Sequence, residues 1–159
     1  MKIRFAGERP GDDYALVVPV AGKDRSALDR LGAAAAGIGA ALDRQRFEGD
    51  AASAHEHFAD IDGQARRVLV VGTGADAKGA DAAEKLGGTA VAQLLTSGET
   101  VAVIDIAGLG LDADGAARVG LGAALRAWRH DRYKTRVKDK HKPTLAEVVR
   151  DLNKASNNV

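Results

Sequence analysis

Three continuous apolar runs constrain the fold of this 159-residue chain more than any other feature. They are Tyr14–Pro19, Val68–Val71 and Val101–Ile104, in which apolar side chains follow one another without polar alternation. A strand of this kind is buried on both faces, as in sheets that are covered by helices. Segments with the apolar spacing of amphipathic helices lie between the runs. The alternation predicts an α/β fold of three layers, with a mixed sheet flanked by helices.

The remaining strands are predicted from shorter patterns. Residues 2–5 alternate between charged and apolar side chains, which predicts a half-buried strand at the edge of the sheet. Residues 44–60 are expected to form a hairpin around the Gly49-Asp50 pair. Since a hairpin is antiparallel, it is the reason to expect a mixed sheet.

The first two helices are predicted from apolar spacing and from their capping residues. Ser26 and Asp29 resemble a capping box, and Asp81 is expected to cap the second helix. Gly37 and Gly39 are expected to weaken or bend the first helix. The two predicted core stripes are Leu28, Leu31, Ala35, Ile38 and Leu42, followed by Ala83, Leu86, Ala90, Val91, Leu94 and Leu95.

Two further helices are predicted in the second half. Asp112 or Asp114 is expected to cap a helix that reaches about Trp128. Thr144 and Glu147 have the spacing of a capping box, which predicts a short last helix. The predicted buried positions are Ala116, Gly120, Ala123 and Ala127 in the third helix, where small side chains let backbones approach, and Leu145, Val148, Val149 and Leu152 in the last.

Composition excludes several classes of protein. The chain has no cysteine, so disulfides and thiolate metal sites are excluded. No apolar run approaches the ~20 residues that a membrane span needs, and the N-terminus does not resemble a secretory signal. These features predict a cytoplasmic protein with no membrane partner. The formal net charge is +1, but cations gather at residues 126–142.

A glycine turn follows the second buried strand. Gly72-Thr-Gly74 matches the loose dinucleotide-binding pattern of glycines after a strand. Asp76 occupies the place of a phosphate, and the next helix begins only near Asp81. We therefore expect a plain turn, with Gly72 and Gly74 as weak candidates for contacts to a nucleotide.

The sequence offers no set of catalytic or metal-binding residues. His55 and His57 would share one face of a strand, and Asp60 or Asp62 could add an oxygen ligand. Two histidines and an uncertain carboxylate are a weak signal, so a solvated strand face is expected. No cysteine and no nucleophile elbow is present. The chain alone is therefore predicted to hold no metal or other cofactor and not to be an enzyme.

Aromatic and basic residues are interleaved at the end of the third predicted helix. The candidate surface residues are Arg126, Trp128, Arg129, Asp131, Arg132, Tyr133 and Lys134. Cations with stacking aromatics can bind a nucleic-acid backbone. The alternative, which we favour, is a connector whose aromatic side chains anchor it to a neighbouring domain.

The same segment resembles a family signature. Residues 120–134 are similar to the Gly-x-x-Leu-Arg-x-Tyr-x-Phe-Asp-x-Tyr-Lys pattern near the end of the N-terminal domain of the leucyl (cytosol) aminopeptidase family. Trp128 stands where that family commonly has Tyr, and His130 where it has Phe. Arg46-Phe-Glu-Gly49 and the strand ending at Gly74 resemble further parts of that domain.

The resemblance implies a macro-domain-like fold and a non-catalytic role. The parent enzyme would be cytoplasmic, hexameric and dependent on two divalent metals, zinc or manganese, and would release N-terminal residues from peptides. Its metal ligands have no counterparts here. We therefore expect residues 1–135 to form the N-terminal domain and residues 136–159 to form a basic connector and short helix. The domain's expected role is to pack against the parent's catalytic domain and to support assembly of a homo-oligomer. The alternative is a module that binds nucleic acid or an ADP-ribose-like nucleotide.

Overall fold

The computed structural model describes residues 1–6, 10, 13–76, 79–132 and 143–151, with the backbone alone described for 129–132 and 151. Its strands and α-helices, in chain order, are β1 (Lys2–Ala6), β2 (Ala15–Val20), α1 (Ala34–Arg44), β3 (Ala54–Ile61), β4 (Gln64–Gly72), α2 (Ala80–Leu94), β5 (Val101–Asp105), α3 (Ala113–Arg132) and β6 (Glu147–Asp151). Short 3₁₀ helices span Ser26–Leu31 and Ala107–Leu109.

The described strands form one sheet in the order β1-β6-β5-β2-β4-β3. All neighbours in this sheet are parallel except β3 and β4, which form an antiparallel hairpin. The predicted mixed sheet flanked by helices is confirmed, as is the position of residues 2–5 in an edge strand. None of the described helices combines the length and the hydropathy that crossing a bilayer requires.

Helices cover both faces of the sheet, which explains the uninterrupted apolar runs. All six residues of β2 are buried. Leu16 and Val18 pack with α1 and the first 3₁₀ helix, whereas Val17 faces the cluster that α2 and α3 form on the other side. Each such side chain contributes about 1.5–3 kcal/mol when it is fully buried, so both helical layers are needed to stabilise the sheet.

Two glycines set the distance between α2 and α3. A Cβ atom added at Gly87 would overlap the carbonyl oxygen of Val119, and one added at Gly122 would overlap that of Glu84. The backbones of the two helices therefore touch. Neither glycine belongs to the small-residue stripe predicted for α3, whose alanines are buried as expected. Gly120, in contrast, makes room for the side chain of Arg150.

The predicted last helix is wrong, because residues 147–151 form β6 in the interior of the sheet. This strand pairs with β1 on one side and with β5 on the other. Val148 faces the α2–α3 side and Val149 the α1 side. Thr144 caps no helix: its hydroxyl donates to the carbonyl oxygen of Glu99 at 2.9 Å. The apolar spacing of residues 145–152 is compatible with a helix. It does not reveal that β1 and β5 lie on either side of this segment and form hydrogen bonds with it.

The hairpin was predicted at the wrong place. The antiparallel pair is β3 with β4, and its turn is Asp62-Gly63, whose φ angles are 54° and 85°. Gly49 lies in the loop before β3, where a Cβ atom would overlap the backbone of Gly22. The glycine is thus required for the contact of two loops and not for a hairpin turn. Residue 135, where the first domain was predicted to end, lies outside the described residues.

The capping predictions have mixed outcomes. The capping box predicted at Ser26 is wrong, because residues 26–31 form a 3₁₀ helix and α1 begins only at Ala34. The glycines at 37 and 39 do not interrupt α1, which continues to Arg44. Asp81 is also not a cap, since Gly79 holds the N-cap position of α2. Asp112 is confirmed: its carboxylate accepts a hydrogen bond of 2.7 Å from the amide of Gly115.

Candidate interdomain surface

The outward face of α3 carries the most extended apolar stripe among the described helices. Leu121, Leu125 and Trp128 follow one another at helical spacing and are 46%, 40% and 55% exposed. With 3.6 residues per turn these three side chains share one face. The buried positions of α3, among them Ala116 and Ala123, lie on the opposite face. The helix is therefore apolar on two sides, of which the domain itself covers one.

A shallow groove runs beside this stripe, between α2 and α3. Its volume is about 360 Å³. It is lined by Glu84, Lys85, Gly88, Thr89, Ala92, Gly122, Leu125 and Arg126. The groove follows from the close helix contact, because small residues on both helices leave space on the solvent side. Charged residues at its rim surround an apolar floor, as is common where a protein surface contacts another.

Arg118 binds Glu84, one of the residues that line the groove. Its guanidinium donates to the carboxylates of Asp114 and Glu84, both at 3.0 Å. The hydrogen bond to Asp114 makes the largest contribution to a raised pKa of Arg118, and the bond to Glu84 adds to it. Both carboxylates are thereby engaged by a permanent cation.

Five of the seven predicted surface residues lie on α3, and two lie outside the described residues. Arg126 and Trp128 are exposed residues of α3. The backbone of Arg129, Asp131 and Arg132 continues the same helix, which therefore reaches beyond Trp128 to the last described residue before the gap, Arg132. Tyr133 and Lys134 lie outside the described residues. The structure therefore places the described part of the interleaved segment on one continuous helix.

The glycine turn is occupied by contacts within the chain. The amide of Gly72 donates to the carbonyl of Ser53 at 2.8 Å, and that of Gly74 to the carbonyl of Gly49 at 2.9 Å. The intervening Thr73 amide donates to the carbonyl of Val20 at 3.0 Å. In this conformation these three amides are not available to a phosphate. Gly72 also allows close packing, since a Cβ atom there would overlap the carbonyl oxygen of Asp50.

The two histidines of β3 lie on the face towards α1. His55 makes an edge-on contact with the ring of Phe47, with 5.1 Å between centroids. Desolvation lowers the pKa of His57 below its usual value, and the charge of His55 lowers it further. Among the described residues no group of three or more His, Asp or Glu side chains is close enough to hold a metal ion.

Two arginines, the half-buried Arg30 and the buried Arg150, have structural roles that sequence patterns did not reveal. Arg30 forms an ion pair of 2.6 Å with Asp105 at the carboxyl end of β5. The guanidinium of Arg150 stacks on the ring of Phe5 at 3.5 Å and donates to the carbonyl of Ala116 at 3.1 Å. Burial lowers the pKa of Arg150. The position of Asp105 directly after the apolar run Val101–Ile104 was the one available signal.

Comparison with known proteins decides the family. The profile described as "Cytosol aminopeptidase family, N-terminal domain" matches residues 13–137. The chain belongs to the cytosol aminopeptidase family. The resemblance recognised in residues 120–134 is thereby confirmed.

Relatives support this membership over most of the chain. A protein of Chelativorans sp. named "Probable cytosol aminopeptidase" is 35% identical over 137 residues, which cover 84% of this chain and 27% of that protein. A protein of the same name from Rhodopseudomonas palustris strain BisA53 is 38% identical over 130 residues, covering 77% and 26%. This chain thus spans about a quarter of the length of these relatives.

A solved structure shows the same fold. A mutant of tomato leucine aminopeptidase superimposes with a TM-score of 0.71 at 19% sequence identity, over 96% of this chain and 32% of the tomato enzyme. The six-stranded mixed sheet with its helices is consistent with the N-terminal domain of that enzyme. At this identity the comparison shows the fold alone.

Proposed function

We propose that this domain of the cytosol aminopeptidase family has an architectural role. It packs against the catalytic domain of a metal-dependent leucyl aminopeptidase and supports assembly of the oligomer. The observation that carries the proposal is the stripe of Leu121, Leu125 and Trp128, which faces away from the domain's own core. The family membership supports it, since the relatives are about four times as long as the matched segment.

The hydrolytic chemistry is assigned to the remainder of such an enzyme. A two-metal hydrolase site needs several converging ligands and an activated water. The described side chains provide no such group, so the two divalent metals, zinc or manganese, do not fit among them. The relatives are named cytosol aminopeptidases, which supports a cytoplasmic location.

The packing surface comprises the predicted residues on α3 and the side chains beside them. Leu125 and Trp128 supply apolar area, and Arg126 supplies a cation at the rim of the groove. We propose that the same surface includes Arg129, Asp131, Arg132, Tyr133 and Lys134. An apolar centre within a charged rim is the usual anatomy of an interface.

A chimera tests the docking surface. This chain replaces the matched N-terminal segment of the Chelativorans relative, and hydrolysis of a leucine anilide, thermal inactivation and sedimentation are measured with added manganese or zinc. The Leu125→Asp/Trp128→Asp variant is expected to weaken the interdomain contact by at least about 2 kcal/mol, and hence to inactivate at lower temperature. The matched control is Ala40→Asp, at an exposed position of α1.

The outcomes separate the architectural role from its alternatives. The proposal requires that the 159-residue chain by itself shows no turnover, that the chimera is active, and that only the α3 variant is destabilised. Equal inactivation temperatures for all three chimeras would refute docking through α3. Metal-dependent turnover by the isolated chain that survives repurification would refute the non-catalytic assignment.

Nucleotide and nucleic-acid binding stay predictions. The internal bonds of the amides at Gly72 and Gly74 do not favour a nucleotide. The exposed cation of Arg126 beside Trp128 would suit a nucleic-acid backbone, and such binding would have to weaken steeply as salt is raised.

A further inference from the structure

The two edges of the sheet differ in a way that identifies a second interaction surface. β1 is an edge strand of five residues whose charged side chains, Lys2 and Arg4, discourage pairing with another chain. β3, the other edge, has eight residues and pairs with β4 alone among the described strands. Its Phe58 is 68% exposed, the highest value among the large apolar side chains described.

The turn determines which backbone groups of β3 point away from the sheet. Asp62 and Gly63 both have positive φ, which is typical of a two-residue type I′ turn. The residues beside such a turn, Ile61 and Gln64, form a hydrogen-bonded pair, and these pairs then alternate along the ladder. The odd-numbered residues of β3 therefore bond to β4. A hydrogen bond of 2.8 Å from the amide of Gly72 to the carbonyl of Ser53 agrees with this alternation.

The even-numbered residues Glu56, Phe58 and Asp60 consequently direct their amide and carbonyl groups outwards. Their side chains lie on the α2 side, where Arg67 stacks over the ring of Phe58 at 5.1 Å and binds the carboxylate of Glu56 at 2.7 Å. On the α1 side, a groove of about 440 Å³ runs along the same edge. It is lined by Ala33 before α1, by Ala34, Gly37 and Ala41 among the residues of α1, and by residues 57–60 of β3.

We propose that β3 pairs with β3 of a second copy of this chain, antiparallel, about a twofold axis at His57. Only even-numbered residues offer outward groups, so the axis must coincide with a residue. With the axis at His57, Glu56 lies opposite Phe58 of the second copy, beside that copy's Arg67. The small side chains of α1 leave room for the second copy on the other face.

Charge selects this register over its neighbours. An axis at Phe58 would place Glu56 opposite Asp60 on both sides, and an axis at Glu56 would place the two Glu56 side chains against each other. Like charges directly opposite one another destabilise a strand pair. The register at His57 brings no two carboxylates face to face and places Glu56 beside a guanidinium. The edge is therefore complementary to itself, which makes a second copy its occupant.

Pairing through β3 would provide an interface for the oligomer assembly in the proposed function, and it rests on that part of the proposal. Docking of the catalytic domain through α3 does not depend on it. Single cysteine variants test the register, since the native chain has no cysteine. Residues 57 of the two copies would form a non-hydrogen-bonded pair, about 4.5 Å apart at Cα, which suits a disulfide. The matched controls are His55→Cys and Ala59→Cys, on the same face but offset by about 13 Å from their equivalents.

The expected result is a covalent dimer of His57→Cys on mild oxidation and no such product for either control. A second variant, Phe58→Pro, removes an amide that β4 does not use. It should retain the circular dichroism of the native chain and raise the dimer dissociation constant at least about tenfold in sedimentation equilibrium.

A monomer at concentrations up to about 100 µM, or equal cross-linking at all three positions, would overturn the inference. An oligomer that Phe58→Pro leaves unchanged, with no cross-link at position 57, would also overturn it. In that last case the chain would still assemble, but through another interface. Failure of β3 pairing can therefore be distinguished from failure of the proposed role in assembly.

Discussion

Adjacent glycines in α2 should respond to alanine in opposite directions. At Gly87 a Cβ atom would overlap the carbonyl oxygen of Val119 and lie 2.9 Å from the amide nitrogen of Ala123, whereas at Gly88 the nearest atom is the carbonyl oxygen of Gly122 at 3.6 Å. The backbone of α3 therefore leaves no room for a methyl group at Gly87, whereas a methyl group at Gly88 would make an ordinary van der Waals contact.

The magnitudes follow from two competing effects. Alanine is favoured over glycine within a helix by about 1 kcal/mol, so Gly88→Ala should stabilise the domain by up to that amount. At Gly87 the obstacle is backbone that cannot rotate aside, so the cost should approach the upper end of overpacking, about 3 kcal/mol. After the gain in helix propensity, Gly87→Ala should lower the free energy of unfolding by about 2 kcal/mol.

Urea denaturation followed by circular dichroism measures both changes. The midpoints should move in opposite directions while the slope of the free energy with urea stays the same, because the exposed surface is unchanged. In thermal unfolding, about 2 kcal/mol corresponds to a loss of about 4–8 °C for a chain of this size. If both variants were stabilised equally, the backbones of α2 and α3 could not touch at Gly87, and the account of their packing would be wrong.

Two further predictions concern titratable side chains that the fold partly or wholly removes from water. Asp105→Ala should lower the free energy of unfolding by up to about 3–5 kcal/mol, because it removes the carboxylate that pairs at 2.6 Å with the guanidinium of Arg30, whose side chain is 10% exposed. Replacing both residues with Leu should recover most of that loss in the same urea titration. His57 has a pKa below the ordinary value of 6.5, so the unfolded chain binds more protons than the folded one as pH falls from 6.5 towards the lowered pKa, and stability is lost over that interval. His57→Gln should lose less stability than the native chain between pH 7 and pH 5, and equal losses would contradict the burial of this ring.

The α1 stripe shows how far a helical pattern can be trusted. Leu28, Leu31, Ile38 and Leu42 were predicted to be core residues, and all four are buried. The backbone that carries them nevertheless changes from a 3₁₀ helix to an α-helix between Leu31 and Ala34. Apolar periodicity predicts which side chains are buried. It does not predict whether the backbone forms the hydrogen bonds of a 3₁₀ helix or of an α-helix.

The surface that we propose on α3 could be indicated only in part from the sequence. The sequence indicated Arg126 and Trp128 because aromatic and basic residues alternate there. Leu121 and Leu125 could not be assigned to that surface, since the face of α3 that the sheet covers depends on how the helix is rotated against α2. That rotation follows from the backbone contacts at Gly87 and Gly122, which join residues far apart in the chain.

What the sequence determined by itself was local or periodic. The runs at Tyr14–Pro19 and Val101–Ile104 specified strands buried on both faces, because no polar side chain offered a face to water. Asp112 specified the start of α3, because a carboxylate can bind the free amides of a first helical turn. The signature in residues 120–134 was sufficient to indicate the family, which the matching profile confirms.

Only the tertiary structure decided the use of residues 147–151. Their apolar spacing suits a short helix or a strand, and the free energy of either depends on what covers it. β1 and β5 present unpaired edges with a gap of one strand between them, and filling that gap satisfies the backbone groups of all three. Such a choice depends on pairing with β5, 46 positions earlier in the chain, and with β1, 145 positions earlier, which no local pattern contains.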